Sequence, residues 1–439
     1  MLATVFLLAR RMMKPFETFP PCAVKPEINH RSGCLGTVIP NQAAESSYVS
    51  RDTDLSTTEL RVCADCIYDE RVAAIAFDKE GVCNYCRQVD ELKKQYGTGG
   101  PKGEAIFSSI LEDIKRAGAG KKYDCIIGVS GGTDSSYLAY LAKQWGLRPL
   151  AVHYDNTWNS AVATMNIHKV LKGLDIDLYT HVVANKEADD IFRSFFFAGV
   201  AEIEASTDLG YAYLLRKVAA KYSIKYILEG HSFVEEGITP LGRNYFDGCY
   251  IKNIHKRFGQ LKMETYPLMT LSKFLWSALI HRVKFIRPLW YLKYSKDDAK
   301  KLLSERFDWQ YYGGHHLENR MTAFFHSIYL PQKYGADMRN NTLAARARNG
   351  ALSREAAWAE YNSPPFIEEG LVNHFKKRLE ISDEVYDGIM RASPKSWTEY
   401  PTYKKRFEQL RPLFYVLAKA NLVPMSFYLK YCFPAKAPE

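Results

Sequence analysis

The chain has 439 residues, 47% of them hydrophobic and 25% charged, with 19 Pro and 27 Gly. That excludes a disordered or collagen-like chain and allows two or three domains with a sizeable core. The net charge of +10 suits an anionic partner such as a nucleotide, a sugar nucleotide, RNA or an anionic membrane face, without choosing among them.

The segment Met1 to Ala9 is apolar but short, and no basic region precedes it. It makes a poor signal peptide and is too short to span a bilayer. Residues 14–58 lack periodicity and are rich in Pro, Ser, Thr and Asn, so 1–58 reads as a disordered extension, with Met12 and Met13 as later possible starts. Next, over 59–98, come Cys63-x2-Cys66 and Cys83-x2-Cys86, sixteen residues apart. That spacing fits two knuckles of a closed tetrahedral zinc ribbon, with a hairpin between them. Two disulfides, an iron–sulfur cluster or a sulfur-carrying redox pair are the alternatives. Cysteines 22, 34, 125, 249 and 432 form no cluster and read as plain thiols, so a reducing, cytoplasmic setting is expected.

From 99 to 260 strand and helix signals alternate. Tyr123 to Val129 is a buried strand, and Leu138, Leu141, Ala142 and Trp145 recur at helical spacing after it. Between them lies Ser130-Gly131-Gly132-Thr133-Asp134-Ser135-Ser136. Glycines there let the backbone approach a ligand, and the helix start offers free N–H groups to a phosphate. Asp134 suits magnesium bridging it to a pyrophosphate. Further strands are predicted at Leu150 to Tyr154, Asp177 to Val183 and Lys225 to Glu229. Helices are predicted at 186–198 and 207–222, and one capped by Asn159 or Ser160 and running to Lys172. This alternation means a parallel sheet, whose ligands sit at the carboxyl ends of the strands. The loop, Asp155 and Gly230 all lie at such ends.

From 261 to 439 the pattern turns helical and aromatic. The stretch from Phe274 to Leu292 is too interrupted by charge to span a membrane. A buried amphipathic helix is the expected form, and a peripheral membrane contact the lesser alternative. Lys296 to Glu305 reads as a polar helix, 308–314 as a loop, and Thr342 to Tyr361 as a helix pair broken at Gly350 and restarted at Ser353.

The loop lacks the Lys of a Walker motif. It matches instead the PP-loop of the ATP pyrophosphatase superfamily, Ser-Gly-Gly-x-Asp-Ser, whose members split ATP between the α- and β-phosphates. Other runs are specific too: Phe77 to Val82 before the second cysteine pair, Val152 to Ser160, Glu229-Gly-His231 and Arg287-Pro-Leu289. So are Trp309 to Glu318 and Leu330 to Asp337. Over about residues 60 to 365 the chain resembles the N-acetyl sugar amidotransferases of surface polysaccharide (LPS O-antigen) biosynthesis, the WbpG/PseA type. The resemblance implies an α/β fold: an adenine nucleotide alpha hydrolase-like PP-loop sheet with an N-terminal zinc ribbon and a helical C-terminal region.

It also implies that the N-acetyl group of a nucleotide-linked sugar becomes an acetamidino group through an adenylated intermediate. The cofactors implied are ATP, Mg2+ and Zn2+. Ammonia comes from a separate glutaminase subunit, which agrees with a Met-Leu start that leaves no cysteine after the initiator. No nucleic-acid partner is expected. On this reading Val129, Ser130, Gly131, Gly132, Asp134, Ser135, Ser136, His153, Tyr154, Asp155 and Gly230 hold ATP. Asp134, Asp155, His315 and Glu318 serve catalysis, and His315 stands where the family pattern has lysine. Two rival readings remain: a tRNA-thiolating PP-loop enzyme, which needs cysteines near the nucleotide, and a non-catalytic nucleotide-binding scaffold.

Overall fold

A computed structural model describes residues 53–238, 245–314 and 317–434. The extension expected over 1–58 lies, as far as residue 52, outside them.

Five short strands form one parallel sheet in the order β3-β2-β1-β4-β5. They are β1 (Cys125–Gly128), β2 (Pro149–Asp155), β3 (Leu178–Val182), β4 (Tyr226–Leu228) and β5 (Lys284–Ile286). β1 is central, with Ile126 beside Leu150 of β2 on one edge and beside Ile227 of β4 on the other. Side chains alternate across a strand, so successive residues of β1 feed different cores. Ile126, Leu150, Val152 and Ile227 enter one, against Phe192, Phe195 and Phe196 of the helix Asn185–Ala198 and Leu214 and Val218 of the helix Ala205–Lys221. Cys125, Ile127 and Ala151 enter the other, against Leu138 and Ala142 of the helix Thr133–Gln144 and Ile167 of the helix Ala161–Leu174. Burial on both faces explains the unbroken apolar runs of these strands. Ser160 caps its helix by accepting the Ala163 N–H at 3.2 Å. Asn159 turns to other partners.

The stretch from Phe274 to Leu292 corrects the sequence reading. It is not one buried helix. A helix Leu271–Trp276 passes into a wider turn, Ser277–His281, and stops at Arg282, whose φ is 51°. The left-handed residue ends the helical ladder. Lys284–Ile286 then completes the sheet as β5, with Glu229 N–H donating to Ile286 O at 2.9 Å. The edge groups of β4 need a partner, and a β-branched and aromatic run supplies it. Trp276 and Ile280 stay exposed. The sheet therefore crosses the boundary expected at residue 260. No helix among the described residues is long and apolar enough to cross a membrane.

The remaining C-terminal part is helical. The helices Arg339–Arg348 and Arg354–Asn362 form the predicted pair, the second capped by Ser353. They share a core with the cysteine segment: Cys63, Cys66, Cys83 and Cys86 pack with Leu343, Ala344, Ala357, Trp358 and Tyr361. Trp358 is almost fully buried there. Trp358→Ala should therefore lower unfolding free energy by about 3–5 kcal/mol, the usual cost of emptying a large aromatic site. Chemical denaturation checks this. A loss within 1 kcal/mol would show that the two segments are not coupled through that core.

Candidate functional site

The PP-loop starts where β1 ends. Val129 N–H donates to Val152 O at 2.9 Å, and Gly132 precedes the helix Thr133–Gln144. Gly131 has φ +86°, and a Cβ there would lie 2.3 Å from Ala163 O. Only glycine fits both the conformation and the approach. The buried Trp309 pins this turn by donating its Nε1–H to Gly131 O at 3.0 Å. A Cβ on Gly230 would lie 2.9 Å from the Asp134 carbonyl, so the end of β4 packs onto the first turn of the helix. Loop, helix start and strand end thus meet at one point, as ligand sites in parallel sheets do.

A cleft of about 1500 Å³ opens there. Val129, Ser130, Gly132, Asp134, Ser135, His153, Tyr154, Gly230 and Glu318 border it. Gly131 and Ser136 lie behind its surface, and the Ser136 N–H is spent on Gly132 O. His153 is held on both nitrogens, Nδ1 by Val129 O at 2.9 Å and Nε2 by the Asn159 side chain at 3.2 Å. That makes Nδ1 the protonated nitrogen and Nε2 the acceptor. Asp155, expected as a catalytic and ATP-binding group, does not border the cleft. Its carboxylate closes a turn by accepting the Thr157 N–H at 2.7 Å, where Thr157 takes φ 62°. Asn156 faces the cleft in its place. His315 lies outside the described residues.

Glu318 reaches the loop through a short antiparallel contact. Ser160 N–H donates to Glu318 O at 2.8 Å, and Arg320 N–H donates to Trp158 O at 2.8 Å. Asn319 donates to both Asn156 and Asn159, each at 2.9 Å. The Val152 to Ser160 run thereby aligns the 317–320 run. Glu318 Oε1 and the Tyr312 hydroxyl both face Gly132, at 3.2 and 3.1 Å from where its Cβ would be. Burial, then the charges of Glu318 and Asp134, raises the Tyr312 pKa well above its ordinary value, so the phenol stays a donor.

Asp134 carries a contact that sequence reasoning missed. Its Oδ1 accepts the Tyr294 hydroxyl at 2.5 Å, and its Oδ2 accepts Lys296 Nζ at 2.7 Å. Burial opposes the charge on Lys296. The carboxylates of Asp134, Glu236 and Glu318 outweigh it, so the Lys296 pKa lies above the ordinary value. One signal was present in the sequence. Lys296 opens a helix, just ahead of Asp297 and Asp298, where the helix dipole disfavours a cation. A residue against local preference often marks function. A second missed group is Glu202, which borders the cleft. Burial pushes its pKa up to about 7, against donation from Tyr245 N–H and the Tyr250 hydroxyl.

The four knuckle sulfurs lie within 4.8 Å of one another and are buried. Cys63 to Cys86 is 3.7 Å, Cys66 to Cys83 is 3.9 Å and Cys83 to Cys86 is 3.5 Å. Thiolates about 2.3 Å from one tetrahedral ion are separated by roughly 3.8 Å, so the set fits a single ion. A [4Fe–4S] cluster binds each thiolate to a different iron and a [2Fe–2S] cluster binds two thiolates to each of two irons, so either spreads the four sulfurs further apart than one ion does. Four N–H groups orient the sulfurs: Asp65 and Cys83 donate to Cys63, Tyr68 to Cys66, and Arg348 Nε to Cys86 at 3.1 Å.

Residues 318–411 match the domain described as LPS biosynthesis protein WbpG-like, C-terminal domain. An uncharacterized protein of Methanocaldococcus jannaschii is 25% identical over 313 residues, 70% of this chain and 95% of that protein. A tRNA(Ile)-lysidine synthase of Chlamydia felis is 25% identical over 197 residues, 41% of this chain and 54% of that protein. Among solved structures, the tRNA thiolase NcsA of Methanococcus maripaludis, with its iron–sulfur cluster, shares 13% identity. Its TM-score is 0.29, over 64% of this chain and 82% of that one. The NMN synthetase of Francisella tularensis also shares 13% identity, with a TM-score of 0.25 over 57% of this chain and 95% of that one. This chain joins a parallel sheet that carries the Ser130 to Ser136 loop to a region that matches a WbpG-like C-terminal domain.

Gly131→Ala should lower thermal stability and abolish ATP binding together, since the added methyl strikes backbone. Calorimetric ATP titration checks it, and near-wild-type affinity would mean the loop opens freely.

Proposed function

We propose that the chain converts the acetamido group of a nucleotide-linked sugar into an acetamidino group in surface polysaccharide (LPS O-antigen) biosynthesis, at the expense of ATP. One observation carries this reading. Residues of the WbpG-like domain, among them Glu318, Asn319, Thr322 and Asp337, border the same cleft as Ser130, Gly132 and Asp134. The activating loop and the family-specific groups face one space. At about 1500 Å³ that space exceeds the roughly 300–1,000 Å³ of a pocket shaped for one ligand.

The chemistry follows from the poor leaving ability of an amide oxygen. That oxygen attacks the α-phosphorus of ATP, and pyrophosphate leaves. The resulting imidate carries AMP on its former carbonyl oxygen. Ammonia adds to the carbon and loses protons to the site. The carbon–oxygen bond then breaks, and AMP departs with the amide oxygen. The loop N–H groups and the start of the helix Thr133–Gln144 hold the phosphates. Asp134 would hold magnesium, which neutralises the departing pyrophosphate. Lys296 supplies fixed positive charge beside Asp134 and in the field of Glu318. Tyr312 keeps Glu318 oriented toward Gly132, and Glu318 accepts a proton as ammonia adds. The ion at Cys63, Cys66, Cys83 and Cys86 is zinc, in a closed site that leaves no open position for a reacting water.

Ammonia is supplied by a separate glutaminase, and the enzyme acts in the cytoplasm. The thiolase reading lacks its nucleophile, because no cysteine borders the cleft among the described residues. Cys125 is buried at the start of β1.

The test is a sugar nucleotide labelled with heavy oxygen in its acetamido carbonyl, incubated with ATP and ammonium. The expected result is an amidine product, with the label in AMP. Asp134→Asn should abolish both products, and glutamine should not replace ammonium for the isolated chain. AMP without label would exclude the adenylated amide.

Elemental analysis should find about one zinc per chain. Cys83→Ser should lose the ion and lower the melting temperature. Full retention of zinc by a variant lacking all four cysteines would remove this assignment.

A further inference from the structure

The wall of the cleft runs from Asp134 into the cysteine segment. Lys296, bound to Asp134, lies within the field of Glu236. The next residue, Gly237, packs on the helix pair, where its Cβ would come within 2.8 Å of Asn341 O. Asn341 Oδ1 accepts the Tyr68 hydroxyl at 2.9 Å. Tyr68 follows Cys66 by two residues, and its own N–H donates to the Cys66 sulfur. The metal knuckle and the phosphate site therefore share one continuous surface.

Three residues beyond Tyr68, Arg71 faces the cleft. Its guanidinium is clamped by Asp69, with Nε to Oδ1 at 2.9 Å and Nη2 to Oδ2 at 2.6 Å. Asp69 also accepts the Arg71 backbone N–H at 2.9 Å. The two partners differ sharply in exposure: the Asp69 side chain is 3% exposed and that of Arg71 is 47% exposed. A guanidinium has five N–H donors, and the clamp uses two. A buried carboxylate thus fixes an arginine whose other donors stand at an open wall. This is the form of a preorganised anion contact, since little side-chain freedom is left to lose on binding.

We infer that the metal-bound knuckle is part of the acceptor site, and that Arg71 binds the phosphate of the sugar's nucleotide carrier. This rests on the proposed sugar-nucleotide reaction. ATP has its own phosphate donors at the PP-loop, so the second anion in the cleft is the carrier's. The cysteine segment is then a recognition element whose shape the metal maintains, as well as a structural one.

Calorimetric titration of the metal-loaded full chain with UDP, and separately with CMP, tests this. The wild type should bind one of them. Arg71→Gln should weaken that binding at least about tenfold, as expected for loss of charge-assisted hydrogen bonds. Its affinity for a non-hydrolysable ATP analogue and its metal content should not change. Arg71→Lys, which keeps the charge without the planar fork, should recover only part of the affinity, and it serves also if the Gln variant does not fold. Wild-type carrier binding in both variants would overturn the role of Arg71 and leave the proposed reaction standing. A wild type that binds neither carrier would overturn both.

Discussion

The carboxylate of Asp134 joins the two halves of the molecule. It stands in the first turn after the phosphate loop, and its hydrogen bonds come from Tyr294 and Lys296, 160 and 162 positions further along. Burial raises the Tyr294 pKa far above its ordinary value, and the Asp134 charge adds to it, so the phenol remains a donor. Asp134 is partly buried, its side chain 17% exposed, and a carboxylate so shielded from water is costly unless it is paired and hydrogen-bonded. Satisfying Asp134 therefore fixes where the helix Lys296–Phe307 begins. Trp309, beyond the end of that helix, then reaches the carbonyl of Gly131. The two sides of the loop, Gly131 and Asp134, are held by the same polypeptide run.

That arrangement concentrates acids around a basic chain's active cleft. Asp134, Glu236, Glu318 and Glu202 border it. On the proposed reaction, such a surface would suit a nucleotide that arrives with a cation and an ammonia addition that needs proton acceptors. Arg71, Arg287, Lys333, Lys395 and Lys430 border the same cleft, so net charge alone carried little information about the site.

The cysteine segment changes the meaning of the C-terminal helices. Arg348 donates to Cys86, and Arg354 donates to the carbonyls of Cys63 and Cys66. Two arginines from helices 262 to 291 positions further along thus surround the knuckles, where they would offset the negative charge of four thiolates if the set holds an ion. The WbpG-like region is built onto the cysteine cluster as much as onto the sheet.

Much of this was legible in one dimension because it rests on local rules. The strand before Ser130, the glycines and the helix after them follow from periodicity and backbone freedom. The cysteine spacing allows four sulfurs to meet within 4.8 Å of one another, as two facing knuckles do. The Ser160 and Ser353 caps follow from hydroxyls placed before apolar periodicity. What failed depended on partners distant in sequence. Val283 to Ile286 looked helical beside its apolar neighbours and became a strand because the edge of β4 was open. Asp155, a local exception, stands at a strand end as a ligand-binding residue does, and its Oδ1 accepts the N–H of Thr157, two residues on. Lys296 looked like one more solvent charge on a polar helix. By itself the sequence determined the loop, the knuckles and the parallel sheet. Only the tertiary structure decided that a lysine would neutralise Asp134 and that the knuckles would form a wall of the same cleft. Burial and long-range pairing set which charges meet, and neither is written in local spacing.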